Sequence, residues 1–403
     1  MIWRFQLLSA LSAMTSRCIA VALLLFVFSG VAEALEIYYP DIWRNSVIHF
    51  RDDQFVAEIP APSSLVPPRL GNFRNMVLGP DGKLYISVIV EPPPGNALAG
   101  HIVTFDPSTD TFDPTPFVSG ISGAGGGGLF SGPAALTFGG PNNDLYVAGG
   151  ENATSFIRRY DGTTGAPVGP NPLVAGGLNE PNGLAAHPDG DLLIGGGRGT
   201  IRRVDPVTGD VSVFAEIDEA LPNDGARSKQ MTFSPDGSVL YVGTDNGGTG
   251  AENDAVLRFD ATTGLRITDA PNPFVPSGQD GTNPVLPTSN IEGLAFSPDG
   301  STLFVGNNGL AGGVPLGIPG SGAIYRVDPL TGAFMDGTGQ DGRILPYIQN
   351  IGLTSSQGGP GTGDPSGPLS VVVLIPEPSS LVLTGLGVLA LWRYGRRRGR
   401  LAC

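Results

Sequence analysis

The sequence predicts an all-β chain folded as a six-bladed β-propeller, and three observations carry that prediction. A strand–turn–strand unit built on Pro-Asp-Gly or a close variant recurs five times. Each recurrence is followed by a strand that ends in aspartate and enters a Thr-Gly or similar polar turn. The two ends of the body read as complementary halves of one further unit. Repetition of a four-stranded unit is the sequence mark of propeller blades.

The first halves come in order. They are Met76-Val77-Leu78-Gly79-Pro80-Asp81-Gly82 running into Leu84-Tyr85-Ile86, and Leu136-Thr137-Phe138 with Asn142-Asn143-Asp144 before Leu145-Tyr146-Val147. Gly183-Leu184-Ala185-Ala186-His187-Pro188-Asp189-Gly190 follows, then Met231-Thr232-Phe233-Ser234-Pro235-Asp236-Gly237 and Leu294-Ala295-Phe296-Ser297-Pro298-Asp299-Gly300. Each is a hairpin, because glycine tolerates positive φ and proline presets the turn's entry. His187 stands where Ser234 and Ser297 stand in their units, which reads as a substitution within the turn. The matching second halves are Ile102 to Pro107, Ile157 to Asp161, Ile201 to Pro206, Val256 to Asp260 and Ile324 to Pro329. A fourth short strand such as Val211-Ser212-Val213-Phe214 completes the unit.

Five units leave fragments over. Ser46 to Val56 resembles a second half without a first, and Ile351-Gly352-Leu353 with Leu369 to Leu374 resembles a first half without a second. Pairing them builds a sixth blade from both termini and hides sheet edges that would otherwise pair promiscuously. Seven blades is the alternative, because Asp189, Asp236 and Asp299 are unevenly spaced, 47 and then 63 residues apart.

The flanks are of another kind. Arg4, Arg17, the apolar run Ile19 to Phe28 and the small-residue site Ala32-Glu33-Ala34 follow the order of a secretory signal peptide, with cleavage expected after Ala34. The apolar run is shorter than a bilayer requires. The domains expected are therefore a signal peptide over 1–34, a propeller over 35–375 and a sorting segment over 376–403. That last segment places Pro376-Glu377-Pro378 before an apolar stretch from Leu381 to Trp392, then Arg393, Arg396, Arg397, Arg398 and Arg400. A cationic cluster directly after an apolar helix stays on the cytoplasmic side and leaves the fold outside.

Composition narrows the function. Without the flanks' seven arginines and two glutamates, 23 basic and 37 acidic residues fall to 16 and 35, a net charge of −19. Nucleic acid is excluded as a partner on this balance, since affinity for phosphates comes from Lys and Arg. Cys18 and Cys403 both lie in the flanks, so the body has no disulfide, thiol nucleophile or cysteine-held zinc. The glycine runs at 125–128 and 247–250 lack the Lys-Ser/Thr pair and helix of a phosphate loop and read as surface loops.

Residues just before the innermost strands should point into the central channel. These are Asn75, Asn182, Lys229 with Gln230, Asn290 with Glu292, and Asn350. The set Asn75, Asn182, Glu292 and Asn350 offers amide and carboxylate oxygens, which suit a hard cation such as Ca2+ or another divalent ion. Asp245, Asn246, Glu252, Asn253 and Asp254 form a second oxygen-rich stretch. His49, His101 and His187 lie in separate segments with no triad spacing.

Two resemblances follow from these residues. The end segment, through its proline motif, apolar stretch and arginine cluster, resembles the PEP-CTERM sorting signal of Gram-negative bacteria. That likeness implies processing by an exosortase, transient inner-membrane anchoring facing the periplasm, and a final place at the cell surface or in exopolysaccharide, with the tail either cut or kept. The body is similar to NHL-repeat, gluconolactonase/regucalcin and YVTN-type propellers. Glu180-Pro181-Asn182-Gly183-Leu184 and Ile291-Glu292-Gly293-Leu294 are similar to the Asn- and Glu-bearing strand entries of gluconolactonase-like enzymes, which hold one divalent ion. No matching aspartate supplies a base. The expected function is thus a monomeric, non-enzymatic surface or matrix binding protein, and the alternative is a metal-dependent lactonase or esterase.

Overall fold

Alternating apolar residues around tight turns give every blade the same start: an inner strand, a turn, and a buried second strand. The computed structural model describes residues 34–41, 44–66, 71–90, 99–122, 132–150, 152–197, 199–217, 227–245, 255–276, 291–307, 323–338, 345, 347–348 and 371–374. The signal and sorting segments, Asn290, Asn350, Ile351 to Leu353 and the oxygen-rich stretch beyond Asp245 lie outside these residues.

Six antiparallel sheets are present. The first contains β1 (Glu36–Asp41), β2 (Ser46–Arg51) and β3 (Gln54–Pro60). The second contains β4 (Gly71–Leu78), β5 (Leu84–Val90), β6 (Ala99–Asp106), β7 (Thr111–Phe112) and β8 (Val118–Ser122). Next come β9 (Pro133–Gly139), β10 (Asp144–Gly149), β11 (Phe156–Tyr160) and β12 (Val174–Ala175), then β13 (Gly183–Ala186), β14 (Leu192–Gly195), β15 (Thr200–Val204) and β16 (Val211–Glu216). The fifth holds β17 (Arg227–Phe233), β18 (Val239–Asp245) and β19 (Val256–Asp260); the sixth holds β20 (Ile291–Phe296), β21 (Leu303–Asn307) and β22 (Ala323–Val327). The last strand, β23 (Val372–Leu374), returns to the first sheet beside β1.

The ring is therefore closed by both ends of the body, and there are six blades rather than seven. Glu36 pairs with Leu374, Ile37 with Val373 and Tyr38 with Val372. The division differs from the expected half and half: the N-terminal segment supplies three strands, because β1 precedes the fragment starting at Ser46. On its other side β1 is tied to β2, with His49 Nε2 at 2.5 Å and Arg51 Nε at 2.7 Å from the two Glu36 oxygens.

The expectation of four strands in every blade is also modified. Among the described residues, the fourth strand of the fifth and sixth blades is seen as isolated bridges, Val256 to Val275, Phe259 to Arg266, Ile324 to Ile348 and Val327 to Phe334. In the fifth, Pro271 and Pro273 lie in this segment, and proline cannot donate to a sheet ladder.

The core sits between blades. Tyr85, Ile102 and Phe156 of the second and third blades interleave with Leu136 and Val147. Leu193, Met231, Leu240 and Phe259 do the same between the fourth and fifth. Full burial of such a side chain stabilises by roughly 1.5–3 kcal/mol.

The repeated turns also join blades. Asp260 Oδ1 accepts from Thr262 N, Thr263 N and Thr263 Oγ1. Gly264, at φ +72°, lies so close to the preceding blade that a Cβ there would meet Phe214 O at 2.0 Å. His187 does take the serine's place: its Nδ1 is 2.5 Å from Asp189 Oδ1, as Ser234 Oγ is from Asp236 Oδ1. Its Nε2 reaches Ala261 O of the next blade at 2.7 Å.

Candidate functional site

Four inner strands carry an irregularity: the ladder of β9 on β10 shifts between Pro133 and Ala135, and three others shift at polar residues. The ladder of β4 on β5 shifts between Phe73 and Met76, that of β17 on β18 between Ser228 and Met231, and that of β20 on β21 between Ile291 and Gly293. A β-bulge adds an unpaired residue and re-aims side chains. The bulged residues are Arg74 and Asn75, Lys229 and Gln230, and Glu292. Polar residues at the ends of apolar strands are what the sequence showed; Arg74 gave no signal, because pairing shifts are not written in a single strand's pattern.

Lys229 Nζ donates to Glu292 Oε1 at 3.1 Å. Both residues are buried, 8% and 9% exposed, so the pair joins the fifth and sixth blades in a dry setting. Burial pulls the Arg74 guanidinium below its usual pKa, and the Glu292 carboxylate acts against that fall. One carboxylate thus faces an ammonium and lies within electrostatic reach of a guanidinium.

The two channel amides have a defined orientation. Leu136 N donates to Asn75 Oδ1 at 3.3 Å, and Leu294 N donates to Gln230 Oε1 at 3.1 Å. A backbone N–H is only a donor, so the atoms facing it must be the carbonyl oxygens. Each amide therefore ties its strand to the next blade and leaves its NH2 group without a hydrogen bond among the described residues. Both line an open cavity of about 300 Å3 bordered by residues of β4, β9, β13 and β17.

Of the residues expected to bind a cation, Asn75 and Glu292 lie in this region with their oxygens engaged as described. Asn182 stands at the entry to β13, where its backbone N–H donates to Gly195 O at 3.0 Å and its Nδ2 is buried without a hydrogen bond among the described residues. Asn350 lies outside the described residues. Among the described residues no three His, Cys, Asp or Glu side chains gather as a metal-holding group.

The other histidines are occupied structurally, His49 as above and His101 with Nε2 2.5 Å from Leu65 O. Among the described residues no helix is long and apolar enough to cross a membrane.

No family model and no curated protein matches the chain. Solved structures similar to it include a 6-phosphogluconolactonase candidate from Bacteroides uniformis, 17% identical with a TM-score of 0.42, covering 75% of this chain and 81% of that one. A candidate oxidoreductase (glucose dehydrogenase) from Thermus thermophilus is 19% identical with a TM-score of 0.46, covering 69% and 89%. A protein of unknown function from Desulfotomaculum acetoxidans is 11% identical with a TM-score of 0.44, covering 85% and 90%. At these values the likenesses say nothing about chemistry.

Proposed function

We propose that this is an exported propeller that binds a ligand or surface partner without catalysing a reaction. Residues 1–34 direct export, and residues 376–403 hold the chain at the inner membrane, facing the periplasm. Pro376-Glu377-Pro378 and the arginines at 393, 396, 397, 398 and 400 present it to an exosortase. The protein then works as a monomer at the cell surface or in the exopolysaccharide matrix.

The observation that carries the non-catalytic part is the engagement of the channel oxygens. Asn75 and Gln230 use theirs to join blades, and Glu292 accepts from Lys229. A Lewis-acid hydrolase needs such oxygens on its metal. The sorting part is supported by the order of motif, apolar stretch and arginine cluster.

The test is binding of the purified full chain to exopolysaccharide and cell-surface extracts across a calcium series. Saturable binding is expected. No binding at any calcium concentration removes the reading. Metal-dependent hydrolysis of a lactone panel that is lost in Glu292→Gln would replace it with a gluconolactonase-like activity.

A further inference from the structure

We infer that the outer edge of β16, in the fourth blade, is a docking strand for an extended segment of another protein with basic ends; this names one partner of the binding reading above and rests on it. Proline supplies the first observation. Every other blade has proline in its fourth-strand stretch: Pro60 in the first, Pro116 in the second, Pro172 in the third, Pro273 in the fifth and Pro346 in the sixth. Proline has no N–H for a ladder and is one of the devices that keep an exposed edge from pairing with another chain. The stretch from Val211 to Ile217 has none.

Local structure agrees with the sequence. β16 is six residues long and ends its sheet, so among the described residues no strand pairs with its outer side. The edge strand of the third blade, β12, has two residues, and β3, the other long outer strand among the described residues, ends on Pro60. Val211, Ser212 and Val213 are all exposed, the two valines at 41% and 61%. Their ladder to β15 is regular, with Val211 facing Val204, Ser212 facing Arg203 and Val213 facing Arg202. The irregularity falls after them at Phe214, whose ring lies against His187 and packs on the core between the fourth and fifth blades. A regular, exposed, apolar edge is what a strand from another chain adds to.

Charge selects the partner. Asp210 and Glu216 bracket the edge, and each accepts from a threonine hydroxyl, Thr208 and Thr200, which leaves its charge in place. The basic side chains across the ladder are engaged elsewhere, Arg203 with Asp189 and Asp191 and Arg202 with Gly177 O. A second copy would bring the same acids and the same acidic body, so like charge opposes self-pairing. A segment with apolar residues at alternate positions and Lys or Arg at its ends complements both the valines and the acids.

Fluorescence anisotropy of the full chain with labelled Lys-Val-Thr-Val-Thr-Val-Lys tests the assignment. Saturable binding is expected, at least tenfold tighter than that of Glu-Val-Thr-Val-Thr-Val-Glu. It should also be at least tenfold tighter than that of the basic peptide N-methylated along its backbone, which has no N–H for an edge. Val213→Lys places a charge on a solvent-facing position, so it should melt near the parent temperature and weaken binding of the basic peptide at least tenfold. Val207→Lys adds the same charge in the exposed turn before the strand and should change binding less than threefold.

No binding of the basic peptide, binding indifferent to N-methylation, equal losses in the two lysine variants, or a folded Val213→Lys that binds like the parent would overturn the site. Sedimentation showing dimers of the parent that are absent in Val213→Lys would overturn it in favour of a second copy. Binding to surface extracts that survives Val213→Lys, with none to the peptide, would leave the general binding function standing and remove this edge.

Discussion

Replacing Gly264 with alanine should destabilise the propeller much more than the same change at Gly82, although both glycines have left-handed backbones. Gly264 has φ +72° and Gly82 φ +81°, so each substitution costs about 1–2 kcal/mol for placing a Cβ in that region. At Gly82 a Cβ meets nothing within 4 Å. At Gly264 it meets Phe214 O at 2.0 Å and Phe214 C at 2.9 Å, both backbone atoms of the preceding blade. Relief requires the blades to part, and overpacking of this kind adds about 1–3 kcal/mol. The expected losses are therefore about 1–2 kcal/mol against about 2–5 kcal/mol. At roughly 2–4 °C per kcal/mol, Gly264→Ala should lower Tm by about twice as much or more. Differential scanning calorimetry of the two variants measures this. Equal decreases would refute the idea that the repeated turns lock one blade against the next.

Three further outcomes follow from the same structure. Glu292→Gln removes the carboxylate to which the buried Lys229 ammonium donates and should cost up to about 3–5 kcal/mol by chemical denaturation, whereas Lys229→Met with Glu292→Leu should cost far less; equal losses would contradict a buried pair. Asp161, Asp205, Asp260 and Asp328 are held below the usual carboxylate pKa first by the backbone N–H of the threonine three residues on. A depressed folded pKa gives stability that is present above the unfolded value of about 3.9 and lost as pH falls through the folded one, so Tm should be level above about pH 5 and drop below about pH 4. Asp260→Asn should lower Tm at neutral pH and shrink the acid drop, and an unchanged acid profile would count against the turns as its source. His187→Ser keeps a hydroxyl for Asp189 but loses the 2.7 Å contact to Ala261 O and should cost about 1–2 kcal/mol, read as a shift in denaturation midpoint; no shift would mean that the contact carries nothing.

The blade pattern was legible in the sequence because turn chemistry and strand alternation are local. Pro-Asp-Gly marks a hairpin wherever it falls, and Asp-x-x-Thr-Gly encloses its own hydrogen bonds, so neither needs tertiary information. Closure by both termini was legible for a related reason: halves of a repeat are recognisable apart. The strand over Glu36 to Asp41 was not, since it is buried throughout and contains Pro40, and therefore shows neither alternation nor an uninterrupted run. The channel was half legible. Asn75 and Glu292 stood out as polar residues at strand entries, but whether an amide shows its oxygen or its nitrogen to the channel depends on a backbone N–H more than sixty residues away. Arg74 was hidden because a bulge is a property of two strands together.

Everything in the channel depends on the ring being closed within one chain, and a single cross-link tests that most directly. Ile37 and Val373 are register partners between β1 and β23. In a chain with Cys18→Ser and Cys403→Ser, the pair Ile37→Cys and Val373→Cys should oxidise to an intrachain disulfide, identified by non-reducing peptide mapping, because facing strand residues lie within the distance a disulfide spans. The account predicts this product at high yield from a monomeric chain, with a raised Tm. Persistent free thiols, or disulfides formed between chains instead, would contradict closure of the propeller by its own C-terminal strand.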